Sequence, residues 1–475
     1  MCKGIRWKNI ILCVCLVGLI ETALMLNFST STRLDDFVWH IKVGGDILKL
    51  GYIPGEIYSW MSEAIPLKTM WHEWLSECIM ARLYQYGDVS GILFYGIGVL
   101  LIAISIIVSN ADIIANTTPL CAFASTILLC VSMTRMASAR PYLLGILCFA
   151  ISTGILRRYN NDAKAVGIYL LPLITIFWAN THGGTILFAI IIPLGYFVCS
   201  LFDASFGKLY LAKKSKKQQI TLGVIAILNG IAACVNPYVA NIFLYPFAYN
   251  TSSCKSYVHE WQQSEFLSAI VIAFLMFAIL GVLSKQKFGV AEVGLALSFF
   301  VLAMVYCRFS IWAAIVLFPL LLQFHPKQRK HEIAIAVVLS CAMIVASGIL
   351  MMPGLHRRQT VDFVVSPEMK QAIETVNPQR IYNGYNDGAA LISIGIKDFV
   401  DARADPFAQD NIIGEEIKFE KEMSSEQMLD YIEKWDFDAY YVNNTGRVAL
   451  FLSNDKRFVL LENDGAHSLY VPSEN

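Results

Sequence analysis

The sequence predicts a polytopic α-helical membrane protein with a small α/β domain on its outer face, and three observations predict it. The chain of 475 residues is 56% hydrophobic and 16% charged, a balance that belongs to membrane proteins rather than soluble enzymes. Its apolar residues gather into stretches near the twenty or so residues that cross a bilayer. Its charges gather into short runs and into the last quarter, where no such stretch occurs.

In order, the apolar stretches read Asn9 to Phe28, Gly91 to Ser109, Pro119 to Thr134, Pro141 to Ile155, Val166 to Asn180, Thr185 to Leu201, Ile220 to Val235, Phe266 to Leu283, Val290 to Tyr306, Ser310 to Phe324 and Glu332 to Met352. They amount to about eleven spans. The first follows a short basic start, and "LNFSTSTRLDD" behind it lacks a small-x-small cleavage site, so it reads as a retained signal anchor. Glu21 within it is expensive in hydrocarbon and is expected to face other helices. Most of the twelve cysteines lie inside these stretches. They read as small hydrophobes, with no disulfide framework and no zinc spacing.

Orientation follows from the basic residues. Lys3, Arg6 and Lys8, the Arg157/Arg158/Lys164 turn, "GKLYLAKKSKKQQ" from Gly207, Lys285/Lys287 and "HPKQRKH" from His325 fall on one side of the count. That side is cytoplasmic by the positive-inside rule. The expected organisation is a membrane domain over 1–352, with a first outer loop at 29–90, and an extracytoplasmic α/β domain over 353–475. Within the tail, "RIYNGYNDGAALISIG" reads as a strand, a turn and an apolar run, and "KDFVDARADPF" as a strand ending in a charged loop. "SSEQMLDYIEKW" reads as a helix with a partial capping box from Ser425 to Met428, and "DAYYVNN", "RFVLLEND" and "HSLYVP" as short strands. With 37 basic and 37 acidic residues there is no nucleic-acid footprint.

With topology assigned, the polar residues least explained by packing fall on the outer side: Asp35, Asp36, His40, His72, Glu73, Arg140, His182, Glu260 and Arg308. They suggest one extracytoplasmic site. Val38 to Leu50 has helical spacing of apolar residues, so it predicts an interfacial helix with Trp39 at headgroup level. Asp35 and Asp36 then sit at its amino end, either as caps or as a base with an orienting or cation-binding partner. His40 and His72 could join Asp35 or Asp36 around a divalent metal ion, or be hydrogen-bonded loop residues. "WANTHGG" joins two spans tightly and points His182 at water. Arg308 in "YCRFS" and Arg140 before Pro141 either snorkel or hold an anionic headgroup such as a phosphate.

The stretches "DDFVWHIKVGGDILKLGYIPGEIYSW", "WHEWLSE", "ARPYLLG", "WANTHGG", "NPYVANIFLYPF", "EWQQSEF", "RFSIWAAIVLFPLL", "YNGYNDGAALI" and "FVDARADPF" resemble, in order along the chain, the multi-spanning GT-C class of glycosyltransferases. The nearer resemblance is to bacterial membrane proteins like the protein O-mannosyltransferases and the Rgt-type lipopolysaccharide transferases. It implies a GT-C-like fold and transfer of a sugar from a polyprenyl-phosphate carrier to an extracytoplasmic hydroxyl of a glycan, lipid or protein. It also implies a multi-pass location in the cell membrane with the amino terminus cytoplasmic. By the same resemblance Asp35 or Asp36 is the catalytic base or a metal-associated residue, and Arg140 and Arg308 are candidates for the phosphate. Well-studied members often carry Asp-Glu where this chain has Asp-Asp, which leaves the choice between the two open. His40, His72, Glu73, His182 and Glu260 are the further candidates for substrate contact. The competing readings are a transporter or flippase of a lipid-linked substrate, and a non-catalytic anchor for the outer domain.

Overall fold

The computed structural model describes residues 7–30, 35–65, 67, 69–134, 137–250, 261–324, 331–359, 365–407 and 411–473. In chain order the helices are α1 (Trp7–Thr30), α2 (Asp35–Leu50), α3 (Met61–Ala64), α4 (Trp74–Leu83), α5 (Ser90–Ser109), α6 (Ala111–Asn116), α7 (Pro119–Ser132), α8 (Tyr142–Asn161), α9 (Leu171–Thr181), α10 (Phe188–Ser200), α11 (Lys216–Ala233), α12 (Tyr245–Asn250), α13 (Ala269–Leu283), α14 (Val290–Val305), α15 (Ser310–Leu321), α16 (Glu332–Gln359), α17 (Pro367–Val376), α18 (Gly388–Ser393), α19 (Ile412–Lys421), α20 (Ser425–Trp435) and α21 (Arg447–Asn454). The strands are β1 (Ala204–Phe206), β2 (Leu209–Leu211), β3 (Phe288–Gly289), β4 (Ile381–Asn383), β5 (Ala439–Asn443), β6 (Phe458–Asn463) and β7 (His467–Pro472).

Every apolar stretch read from the sequence is helical, as α1, α5, α7 to α11 and α13 to α16. Among the described residues, Trp7–Thr30, Ser90–Ser109, Tyr142–Asn161, Gly183–Ser200 and Glu332–His356 are each long and apolar enough to cross a membrane. Along α16, Val338, Val345, Ile349 and Leu350 are all exposed. A helix this apolar and this uncovered is stable only where its surroundings are apolar too, and the chain is a helical membrane protein.

The contacts divide the chain into two compact units, Met1–Thr32 with Gly91–Leu244 and His259–Arg358, and Arg33–Ser90 with Tyr245–Val258 and Gln359–Asn475. The loop at 29–90, grouped above with the membrane domain, therefore belongs from Arg33 onward with the tail.

In the first unit α10 packs on α11, α14 on α15, and α9 on α8 and α11. Its centre is aromatic: Trp178 stacks on Trp312 at 6.2 Å, and Phe149 meets Trp312 edge-on at 4.8 Å. Glu21 approaches Gly96 of α5, as an acid facing another helix should. The basic run from Gly207 contains β2, which pairs antiparallel with β1 just before it and parallel with β3. Lys208 Nζ donates to the carbonyls of Gly281, Val282 and Ser284 at 2.7, 2.6 and 2.5 Å, a cation on the unpaired acceptors at the end of α13. Ser215 and Gln218 close a capping box on α11.

In the second unit the tail forms a four-stranded sheet, ordered β4-β5-β7-β6, with β4 parallel to β5 and the other pairs antiparallel. Tyr382, Phe399, Phe419, Tyr440 and Tyr441 are fully buried. The capping box of α20 runs from Ser424 to Gln427, one residue before the expected start, because Ser424 has the extended backbone an N-cap needs and Ser425 is already helical. The expected strand in "KDFVDARADPF" is absent. Asp398 instead forms an isolated parallel bridge with Ser59 of the first loop, outside the tail's sheet.

Candidate functional site

The second unit is assembled around the first loop. Its α2 packs on α4 and on α18, and Gly44 permits the first contact: a Cβ there would collide with the Glu77 carbonyl oxygen and lie 2.8 Å from the Cys78 nitrogen. A backbone-to-backbone approach of this kind requires glycine. Trp39 is consequently buried, with its ring 3.5 Å from that of His40. This corrects the expectation of a Trp at headgroup level, since the apolar stripe of α2 is spent on protein.

Trp60 enters the core of the tail. It lies on Phe399 at 5.4 Å and against Phe437 at 6.0 Å, and its indole donates to the Ile381 carbonyl at 3.0 Å. The backbone seals the joint, with Trp60 N donating to Asp398 O at 3.1 Å and Asp398 N to Tyr58 O at 2.9 Å. Beside it lies a charge network. Arg403 donates Nε to Asp401 Oδ1 at 2.8 Å and one terminal nitrogen to Oδ2 at 2.5 Å, and the other terminal nitrogen reaches both Glu56 oxygens at 3.0 and 2.8 Å. The guanidinium also lies 5.4 Å from the rings of Tyr58 and Trp71.

Asp35 opens α2, and Asp36 is half-buried beside it. A helix amino end favours a carboxylate such as that of Asp36 through its dipole and open N–H groups. His40, one turn further, is buried with Nδ1 3.2 Å from Glu77 Oε1. Burial, reinforced by Glu73 and opposed by Arg403, pushes the Glu77 carboxyl well above its ordinary range. Both side chains are buried.

His72 is buried and packs its ring 4.0 Å from that of Tyr245, while its Nε2 lies 4.0 Å from Asp405 Oδ2. The Tyr245 hydroxyl donates to the same Asp405 oxygen. Three distant segments thus bring polar groups to one place, and the Asp405 side chain is still 24% exposed. Ala404 immediately before it has φ +57°. A left-handed non-glycine residue costs about 1–3 kcal/mol, and such strain clusters at functional sites. Sequence reading passed over Asp405 and Tyr245, because their meeting depends on tertiary contacts; "RADPF" and "LYPF" carry no spacing signal. Glu73, half-buried, is the N-cap residue of α4 but makes no side-chain cap.

The remaining candidates lie in the first unit. His182 is buried against Gly145, where a Cβ would come within 2.6 Å of its ring, and does not face water. The tight turn after it is closed by Trp178 Nε1 donating to Thr185 Oγ1 at 3.0 Å. Arg308, in a 3-10 turn before α15, lies 4.5 Å over Trp261 and so is not alone at its span end. Arg140 is half-buried just before α8, and Glu260 lies outside the described residues.

No known family's sequence profile matches the chain, and no curated protein matches it either. Among solved structures, it is similar to the Archaeoglobus fulgidus oligosaccharyltransferase tethered to an acceptor peptide containing the NVT sequon (10% identity, TM-score 0.49, covering 99% of this chain and 74% of that one). It is also similar to the apo form of that enzyme (9% identity, TM-score 0.45, covering 92% and 69%).

Proposed function

We propose that the protein is a membrane glycosyltransferase of the GT-C kind, transferring a sugar from a polyprenyl-phosphate carrier to an acceptor hydroxyl outside the cell membrane. The first loop and the tail would lie outside, the amino terminus inside, and about eleven helices would span the bilayer. The observation that supports the reading is the placement of Asp36, half-buried in the first turn of α2. A carboxylate held on a helix and still partly exposed suits a general base.

The chemistry asks little more. A carboxylate of the Asp35/Asp36 pair takes the acceptor hydroxyl's proton while that oxygen bonds to the anomeric carbon. The bond from that carbon to the carrier phosphate breaks, and its electron pair leaves on the phosphate. Arg308 and Arg140 are the candidates for stabilising that anion. Asp405, with Tyr245 and His72, adds a further polar cluster in the same unit. If a divalent ion sits at Asp35, Asp36 and His40, it would be held through His40 Nε2, since Nδ1 is taken up by Glu77.

The test is purified full-length protein with a panel of polyprenyl-phosphate sugars, following release of the lipid phosphate. Turnover is expected with at least one donor. It should fall about 10²–10⁴-fold in Asp35→Asn or Asp36→Asn, whichever is the base, with the melting temperature held. Binding without turnover for every donor would return the transporter and anchor readings.

A further inference from the structure

The seam between first loop and tail holds more negative charge than its one cation can balance. Asp398, Asp401 and Glu56 meet a single guanidinium, Arg403, and none of the four side chains is more than 4% exposed. Arg403 satisfies Asp401 and Glu56 on both their oxygens, and Glu56 also accepts from Tyr58 N, Ser59 N and Thr69 Oγ1. Asp398 is left over. No donor among the described residues reaches either of its side-chain oxygens, and Asp401 lies beside it: a Cβ at Gly388 would be 2.7 Å from Asp398 Oδ2 and 2.6 Å from Asp401 Cβ.

Other groups around Asp398 offer no counter-charge. From α18 comes Gly388, where a Cβ would strike the Val400 carbonyl and lie 2.7 Å from Asp398 Oδ2. From β4 comes Asn383, bonded to the next residue: its amide oxygen and nitrogen are spent on Phe399 N and the carbonyls of Gly384 and Val400. The neighbouring Lys397 turns outward to pair with Glu63 at 2.6 Å. Tyr58 donates its hydroxyl to Asp46, which Lys42 already neutralises. Two adjoining carboxyls, dry and with one unsatisfied, are held together when a proton lies between them, because two carboxylates have nothing to donate.

We infer that this seam is a proton-binding site: a proton shared by Asp398 and Asp401 closes the first loop onto the tail, and its loss as pH rises loosens Tyr58 to Trp60 from their seat. The inference is independent of the transferase reading. Burial, with Asp401 next and Arg403 opposing, raises the Asp398 carboxyl above its ordinary range. The sign then follows. The folded chain keeps a proton that the unfolded chain releases above about pH 4. The folding equilibrium should weaken roughly tenfold per pH unit from there until the folded group itself ionises, and be fully favoured only below that window.

The experiment uses full-length protein in lipid nanodiscs. Infrared spectra with isotope-labelled aspartate should show a protonated carboxylic acid at neutral pH that is lost in Asp398→Asn. Amide exchange at Tyr58 to Trp60 should accelerate with pH, beyond its intrinsic rise, in the wild type and not in Asp398→Asn. Should that variant fail to fold, the wild-type infrared titration decides alone. A spectrum without a protonated aspartate at neutral pH overturns the inference. So does a seam that loosens on chelation, which would put a cation where the proton is assigned.

Discussion

Arg403→Met in the full-length protein is expected to cost about 3–5 kcal/mol, enough to unfold the second unit under mild conditions. Methionine fits the volume between Tyr58 and Trp71 and loses little packing, so the loss is electrostatic. Asp401 and Glu56, at 0% and 3% exposure, would be left as carboxylates without a cation, and desolvated charge without a partner is what makes such deletions expensive. The triple change Arg403→Met, Asp401→Asn, Glu56→Gln should recover most of the loss, since the pair's worth lies in its completeness. Denaturant unfolding followed by tryptophan fluorescence would read it through Trp60. A cost for Arg403→Met below about 1 kcal/mol, the value of a surface pair, would mean that the network is wet.

Gly44→Ala is expected to cost about 1–3 kcal/mol or more, and Gly45→Ala to be neutral or to gain up to about 1 kcal/mol. The two residues are adjacent on one helix, so propensity favours alanine at both. What separates them is what a methyl group would meet. At Gly44 it strikes the backbone of Glu77 and Cys78, which cannot turn aside, whereas at Gly45 nothing lies within 4 Å. Moving α2 from α4 would also break the His40–Glu77 contact. Thermal melts of both variants side by side form the test, and equal shifts would exclude the close helix approach.

The helices were legible because hydrophobicity over a long window is a local property, and each apolar stretch became a helix near its expected bounds. The site was legible in part. Asp35 and Asp36 were read at a helix start because capping chemistry is local to a few residues. His182 reads as facing water and is buried instead, since whether a polar residue in a loop faces water depends on what packs over it; here Gly145 does so. His40 reads as a metal ligand or a hydrogen-bonded loop residue, and its ring meets Glu77. Asp405 and Tyr245, which meet at His72, were passed over for the same reason.

What the sequence by itself determined is the class of protein and its apolar helices, through the cost of burying polar backbone and charge in hydrocarbon. Only the tertiary structure decided that the first loop belongs with the tail. A bridge at Ser59, an indole plugged beside Phe399 and one arginine shared by Glu56 and Asp401 join residues more than 300 positions apart. Contacts across such distances leave no periodicity, because either partner alone looks like an ordinary polar or aromatic loop residue until the chain brings them together.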